Sequence, residues 1–141
     1  MPHEIAVALI RRSGKVLLGR RAPHRAFFPD VWDLFGGHVE PGEAHEQTLV
    51  REVQEELGIT PSLWSFEGTL TQPLPATPLE PDPGGLLVAH LYLVTAWTGS
   101  PINRQPEEHS AIGWFSLAQA IQLPLADPGY PELFARYLSS D

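Results

Sequence analysis

The chain has 141 residues, 43% hydrophobic and 18% charged, a size and composition suited to one soluble globular domain spanning 1–141. Its 17 Asp and Glu against 9 Lys and Arg give a net charge of −8, which argues against a nucleic-acid polymer or an anionic membrane as partner, since both require a basic face. The lack of cysteine removes disulfides and thiolate chemistry and fits a reducing, cytoplasmic setting.

Met1-Pro2-His3-Glu4 lacks the basic region of a signal peptide. Glu4–Arg11 and Lys15–Arg20 read as strands joined at Ser13-Gly14 in a hairpin. Asp30–Leu34 reads as a short strand leading into Phe35-Gly36-Gly37, and Pro41-Gly42 marks a turn, so 36–43 is expected as a loop. A helix is predicted over Gln47–Leu57, with Gly58 as its left-handed cap. Leu63–Gln72 and Leu86–Thr98 read as longer strands; the apolar stretch within the second is too short to span a bilayer. Between them, Pro73–Gly85 carries Pro73, Pro75, Pro78, Pro81 and Pro83, a density that forbids a strand ladder and predicts a stiff flap or a disordered loop. Ala111–Phe115 is a last strand, followed by short helices at Leu117–Ile121 and Pro131–Leu138. This order suggests an α/β fold, a mixed sheet between helices.

The Gln47–Leu57 helix has two unlike faces. At about 100° per residue, Leu49, Val50, Val53 and Leu57 occupy an arc of about 0–100°, whereas Glu52, Glu55 and Glu56 fall at about 240–340°. One face is built for a core and the other gathers carboxylates. Like charges four apart repel by a few tenths of a kcal/mol, so this cluster invites a hard divalent cation such as Mg²⁺, with Mn²⁺ as a substitute. Such an ion neutralises phosphate oxygens and lowers the pKa of an attacking water, allowing an acidic protein to approach a polyphosphate. Glu43 lies before the helix, eight residues from Arg51; along a continued helical path two residues eight apart point within about 80° of each other, so the two can form a salt bridge tying the loop to the helix.

The spacing of these residues is specific. Gly37, five residues, Glu43, seven residues, then Arg51-Glu52-Val53-Gln54-Glu55-Glu56-Leu57-Gly58-Ile59 matches every fixed position of the Nudix box. The chain therefore resembles the Nudix hydrolases and, among them, the MutT-like subgroup. The resemblance implies an α/β/α sandwich, cleavage of a pyrophosphate bond in a small nucleotide, and Mg²⁺ held by Glu52, Glu55, Glu56 and the carbonyl of Gly36. It assigns catalytic roles to Glu52, Glu55 and Glu56, with Arg51 and Glu43 as structural support and Glu43 additionally as a water ligand or activator. A further carboxylate from outside the box is implied at Glu107, favoured over Glu108. The chain departs from the family pattern at Phe35, where proline is common, which bears on the base-binding end rather than on the metal site.

The remaining candidates are less specific. Arg20 and Arg21, close to His24 and Arg25, are read as phosphate contacts or as surface charge. Phe27, Phe28, Trp32 and Phe35 stack on a base or fill the core. Asp127 resembles the base-reading residue of MutT-like members, and equally suits a helix N-cap before Pro128. His38, His45, His90 and His109 show no metal-ligand pattern. The expected substrate is a (deoxy)nucleoside triphosphate, an oxidised one such as 8-oxo-dGTP included, with dinucleoside polyphosphates and ADP-ribose as enzymatic alternatives. A catalytically dead nucleotide sensor or protein-binding module is the non-enzymatic one. A monomer or a homodimer is expected.

Overall fold

The computed structural model describes residues 3–74 and 85–138. In chain order the elements are β1 (His3–Arg12), β2 (Lys15–Arg21), β3 (Trp32–Asp33), β4 (Phe35–His38), α1 (His45–Leu57), β5 (Thr60–Pro73), β6 (Leu86–Thr98), β7 (His109–Phe115), α2 (Leu117–Ala120) and α3 (Tyr130–Tyr137). The Ser13-Gly14 hairpin forms with both residues at positive φ, 53° and 73°, the backbone a two-residue turn requires. Most of the expected Pro-rich loop lies outside the described residues.

The strands form a seven-stranded mixed sheet. β1 lies at its centre, parallel to β6 from His3↔Leu87 to Ile10↔Val94 and antiparallel to β2 and β4. Alternation along β1 feeds two cores. Val7 and Leu9 pack with Phe134 of α3 and Ala120 of α2, while Ala6, Ala8 and Ile10 pack with Leu49, Val53 and Leu57 of α1. Helices therefore cover both faces of the sheet, and the fold is an α/β/α sandwich.

Two sequence expectations change. Gly36 and Gly37 belong to a strand rather than a loop: β4 pairs with β1 through Val7↔Gly36 and Ala6↔Gly37. This pairing brings the two backbones so close that a Cβ at Gly36 would collide with the Ala6 carbonyl. Glycine is needed here for close approach. Helix α1 also begins two residues early, at His45. The Gln47 side chain accepts the Ala44 N–H at 2.8 Å, and Gly58 ends the helix at φ 72°.

Candidate active site

Helix α1 presents its carboxylates in graded burial, and the helical wheel explains the grading. Glu55, farthest from the apolar arc, keeps a side chain 49% exposed. Glu52 is 17% exposed, and Glu56, about 20° from Leu49 on the wheel, only 4%. Glu56 is held at both oxygens: Oε1 accepts the Gly36 N–H at 3.0 Å, and Oε2 lies 3.3 Å from His109 Nε2. Glu52 packs directly on Gly37, where any Cβ would collide with its carboxylate.

The loop before α1 is anchored by one guanidinium. Arg51 makes paired bonds to Glu43, Nε to Oε2 at 2.8 Å and Nη2 to Oε1 at 2.9 Å, and donates from Nη1 to Glu52 at 2.7 Å and from Nη2 to the His38 carbonyl at 3.1 Å. Thr48 Oγ1 also donates to Glu43 at 2.5 Å. These donors hold the Glu43 carboxyl down at about 2. The same pairing raises Arg51.

Glu52 and Glu56 line a cleft of about 400 Å³, together with Gly36, Gly37, Glu108 and His109. Burial pushes Glu56 well above the usual carboxylate range, with the Glu52 charge adding to it, and burial likewise raises Glu52. Burial also pushes His109 down to about 4, helped by Arg25 and Arg21, so its imidazole is neutral. A set of buried acids that repel one another is held as anions by a compensating cation. Oxygen donors of this kind fit a hard divalent ion.

Several candidates lie elsewhere than the sequence suggested. Glu108, not the favoured Glu107, groups with Glu56 and His109. Glu107 lines a separate, shallower recess beside Glu55 and Arg104. Arg20 does not line the cleft; its side chain is 47% exposed and lies 3.7 Å from Asp30. Arg21 does line the cleft, but its guanidinium is committed to the carbonyls of Phe27 and Phe28 at 2.9–3.1 Å and lies 3.6 Å from Asp33. The β2–β7 pairing shifts register between Arg20 and Arg21, and the two consecutive arginines meet different surroundings. Asp127 does not line the cleft; its Oδ1 accepts the Gly129 N–H at 2.7 Å, and Gly129 rather than Asp127 is the N-cap of α3. Of the aromatic residues, Phe27 and Phe28 border the cleft, whereas Phe35 is fully buried and Trp32 packs edge-on to Phe115.

Two cleft residues escaped the sequence reading: His109, which abuts Glu56, and Asp33, partly buried against Tyr130, whose hydroxyl donates to it at 2.6 Å. Neither carried a local signal. Arg25, grouped in the sequence with Arg20, Arg21 and His24 as positive charge for phosphate, lines the cleft and donates to the Glu108 carbonyl at 3.4 Å.

Carboxylates and guanidinium groups that face into one cleft can hold a polyphosphate only with a cation between acid and phosphate, which places the protein among the metal-assisted phosphohydrolases. Residues 1–137 match the NUDIX domain model, and the chain belongs to that family; it is a pyrophosphohydrolase. It is 36% identical to the CTP pyrophosphohydrolase of Escherichia coli K12 over 132 residues, 94% of this chain and 89% of that one. Over a shorter 69-residue stretch, 44% of this chain and 48% of the relative, it is 48% identical to the nucleoside triphosphatase NudI of Salmonella agona. Among solved structures, it resembles a MutT NUDIX hydrolase from Burkholderia pseudomallei with a TM-score of 0.79 at 29% identity, covering 99% of both chains. The E. coli ORF135 protein follows with a TM-score of 0.74 at 31% identity, covering 95% of this chain and 86% of that one. Among the described residues, no helix is long and apolar enough to cross a membrane.

Proposed function

We propose that this protein is a Mg²⁺-dependent pyrophosphohydrolase of (deoxy)nucleoside triphosphates, with cytidine nucleotides foremost among its substrates. The observation that carries this reading is the convergence of Glu52, Glu56 and Glu108 on one cleft that Arg25 also lines. Glu52, Glu56, Glu108 and the Gly36 carbonyl would hold the metal, with Glu55 at the rim. When bound, the ion neutralises phosphate oxygens and makes its water more acidic.

The chain's own residues do the positioning. The Gly36 N–H fixes the orientation of Glu56, and the Arg51–Glu43 pair holds Glu52 toward the glycines. Arg25 meets the phosphate chain, a task suited to a guanidinium fork. Arg21 shapes the wall by gathering the carbonyls of Phe27 and Phe28, leaving those rings to border the base.

The preference for cytidine nucleotides is supported by the relative named CTP pyrophosphohydrolase, which aligns over 94% of this chain. The purine reading, 8-oxo-dGTP above all, leaned on Arg20, Arg21, the short length and Asp127; Arg20 and Asp127 do not line the cleft, and Arg21 lines it with its guanidinium committed to the Phe27 and Phe28 carbonyls. A panel of CTP, dCTP, other triphosphates, 8-oxo-dGTP, ADP-ribose and a dinucleoside polyphosphate, with and without Mg²⁺, tests the proposal. The expected result is Mg²⁺-dependent release of pyrophosphate, fastest from CTP or dCTP. Turnover of ADP-ribose alone, or of nothing at all, would overturn it.

A further inference from the structure

Outside the cleft, three side chains from three elements converge near the start of α1: Glu4 of β1, His90 of β6, and His45, the first residue of α1. One ligand atom of each lies within 4.8 Å of the other two. The sheet register causes the meeting. Glu4 pairs with Val88 and Ala6 with His90 in the parallel ladder, and side chains two apart share a face, so Glu4 and His90 both project toward α1. The His45 and His90 rings stack with centroids 3.7 Å apart and planes 19° from parallel.

The hydrogen bonds around His90 decide which ring nitrogen meets the carboxylate. Its Nδ1 lies 3.4 Å from Thr69 Oγ1 on β5, and its Nε2 lies 3.3 Å from Glu4 Oε1. In the metal-free protein the Thr69 hydroxyl can donate to Nδ1 while Nε2–H donates to Glu4, so both contacts are met by a neutral ring. In the other tautomer Nδ1–H donates to the threonine hydroxyl and Nε2 presents a lone pair beside the Glu4 carboxylate. A metal ion, with a second imidazole at hand, can then take the place of the proton.

We propose that Glu4, His45 and His90 form a second metal site, selective for a borderline divalent transition ion such as Zn²⁺ or Co²⁺ rather than for Mg²⁺. Imidazole nitrogens favour such ions, while Mg²⁺ prefers oxygen donors. Two histidines and one carboxylate are a familiar three-ligand set for Zn²⁺, with water completing a tetrahedron. Parallel rings do not aim both lone pairs at one point, so the His45 ring turns on binding; it sits half-buried on the first turn of α1. Thr69 supplies the outer-shell contact that fixes which His90 nitrogen binds. His45 and Glu52 are seven residues apart, about 10 Å along the helix axis, so the two sites share no ligand. None of the three residues lines the catalytic cleft. Metal at this position would pin the first turn of α1 to the sheet, next to the loop that Arg51 and Glu43 anchor.

The test is a Co²⁺ titration of the full chain in a large excess of Mg²⁺, followed by visible absorption and by Tm. Expected is one Co²⁺ per chain that Mg²⁺ does not displace and Zn²⁺ does, giving a tetrahedral spectrum and a raised Tm. His45→Ala and His90→Gln abolish that spectrum, while His45→Ala keeps the wild-type Tm in EDTA and the wild-type Mg²⁺-dependent activity. Thr69→Val weakens Co²⁺ binding about 10–100-fold, the usual effect of losing an outer-shell partner. Absence of Co²⁺ uptake would mean that a proton alone links Glu4 and His90 and would overturn the proposal. So would uptake that Mg²⁺ displaces, or uptake that both His45→Ala and His45→Gln leave intact.

Discussion

Glu56 Oε2 and His109 Nε2 lie 3.3 Å apart with both side chains almost wholly buried, while the other Glu56 oxygen accepts the Gly36 N–H. A carboxylate clamped in this way cannot swing into solvent, and its burial holds it well above the usual carboxylate range. Glu56→Gln preserves volume and removes the charge. Its expected effect is a loss of about 10²–10³-fold in Mg²⁺-dependent turnover, comparable to deleting a major electrostatic group. Because the raised Glu56 is most stabilising when protonated, its contribution is lost as pH rises. In EDTA the variant's Tm therefore equals or exceeds that of the wild type, increasingly so at higher pH. Activity within about tenfold of wild type at saturating Mg²⁺ would remove Glu56 from the metal site.

Gly37→Ala tests close packing rather than charge. The added methyl collides with the Glu52 carboxylate, which must move. The Mg²⁺ concentration for half-maximal rate should rise about tenfold or more, as when the support of a metal ligand is lost. Gly42→Ala is the control, since its Cβ meets no atom within 4 Å and only its φ of 78° is strained. It should lower Tm slightly and leave the Mg²⁺ requirement alone.

Arg21 and Arg25 should separate in their kinetics. Arg21→Ala strips the Phe27 and Phe28 carbonyls and Asp33 of a buried partner and should cost about 2–3 kcal/mol of stability. Lysine rescues it poorly because it lacks the fork. Arg25→Ala should leave Tm unchanged and raise KM for nucleotide more than it lowers kcat. An unaltered KM would exclude Arg25 from contact with phosphate.

The loop anchor should be visible in acid. Glu43 is held at about 2 by hydrogen bonds from Arg51 and Thr48, so its stabilising effect is present above the ordinary carboxylate pKa and is lost as pH falls toward 2. Glu43→Gln should thus have a lower Tm than wild type at pH 7, with the gap closing on acidification. A gap independent of pH would mean that shape, not charge, anchors the loop.

Tyr130 and Asp33 are joined by a 2.6 Å hydrogen bond across 97 residues of sequence. Tyr130→Phe leaves a buried carboxylate short of a donor and should cost about 1–3 kcal/mol. Adding Asp33→Asn should recover part of that loss, which a double-mutant cycle by chemical denaturation measures directly.

What the sequence determined by itself was local. Helical period placed Glu52, Glu55 and Glu56 on one face of α1. The eight-residue interval brought Glu43, just ahead of the helix, to Arg51, and Gly58 closed the helix, because each relation is local to α1 and the loop that enters it. The box spacing was enough to identify the family, whose model matches residues 1–137. Tertiary structure decided whatever depends on register between distant strands. Pairing of β4 with β1 turned the expected glycine loop into a strand. Arg20 stays exposed, while Arg21 is drawn in against Asp33 and the Phe27 and Phe28 carbonyls. The chain's return from β6 into β7 set Glu108 and His109, rather than Glu107, beside Glu56. His45 and His90, 45 residues apart, met only because parallel pairing of β1 with β6 and the start of α1 share one face of the sheet. Periodicity records which face of an element is buried, but not which residue of another element it will meet there.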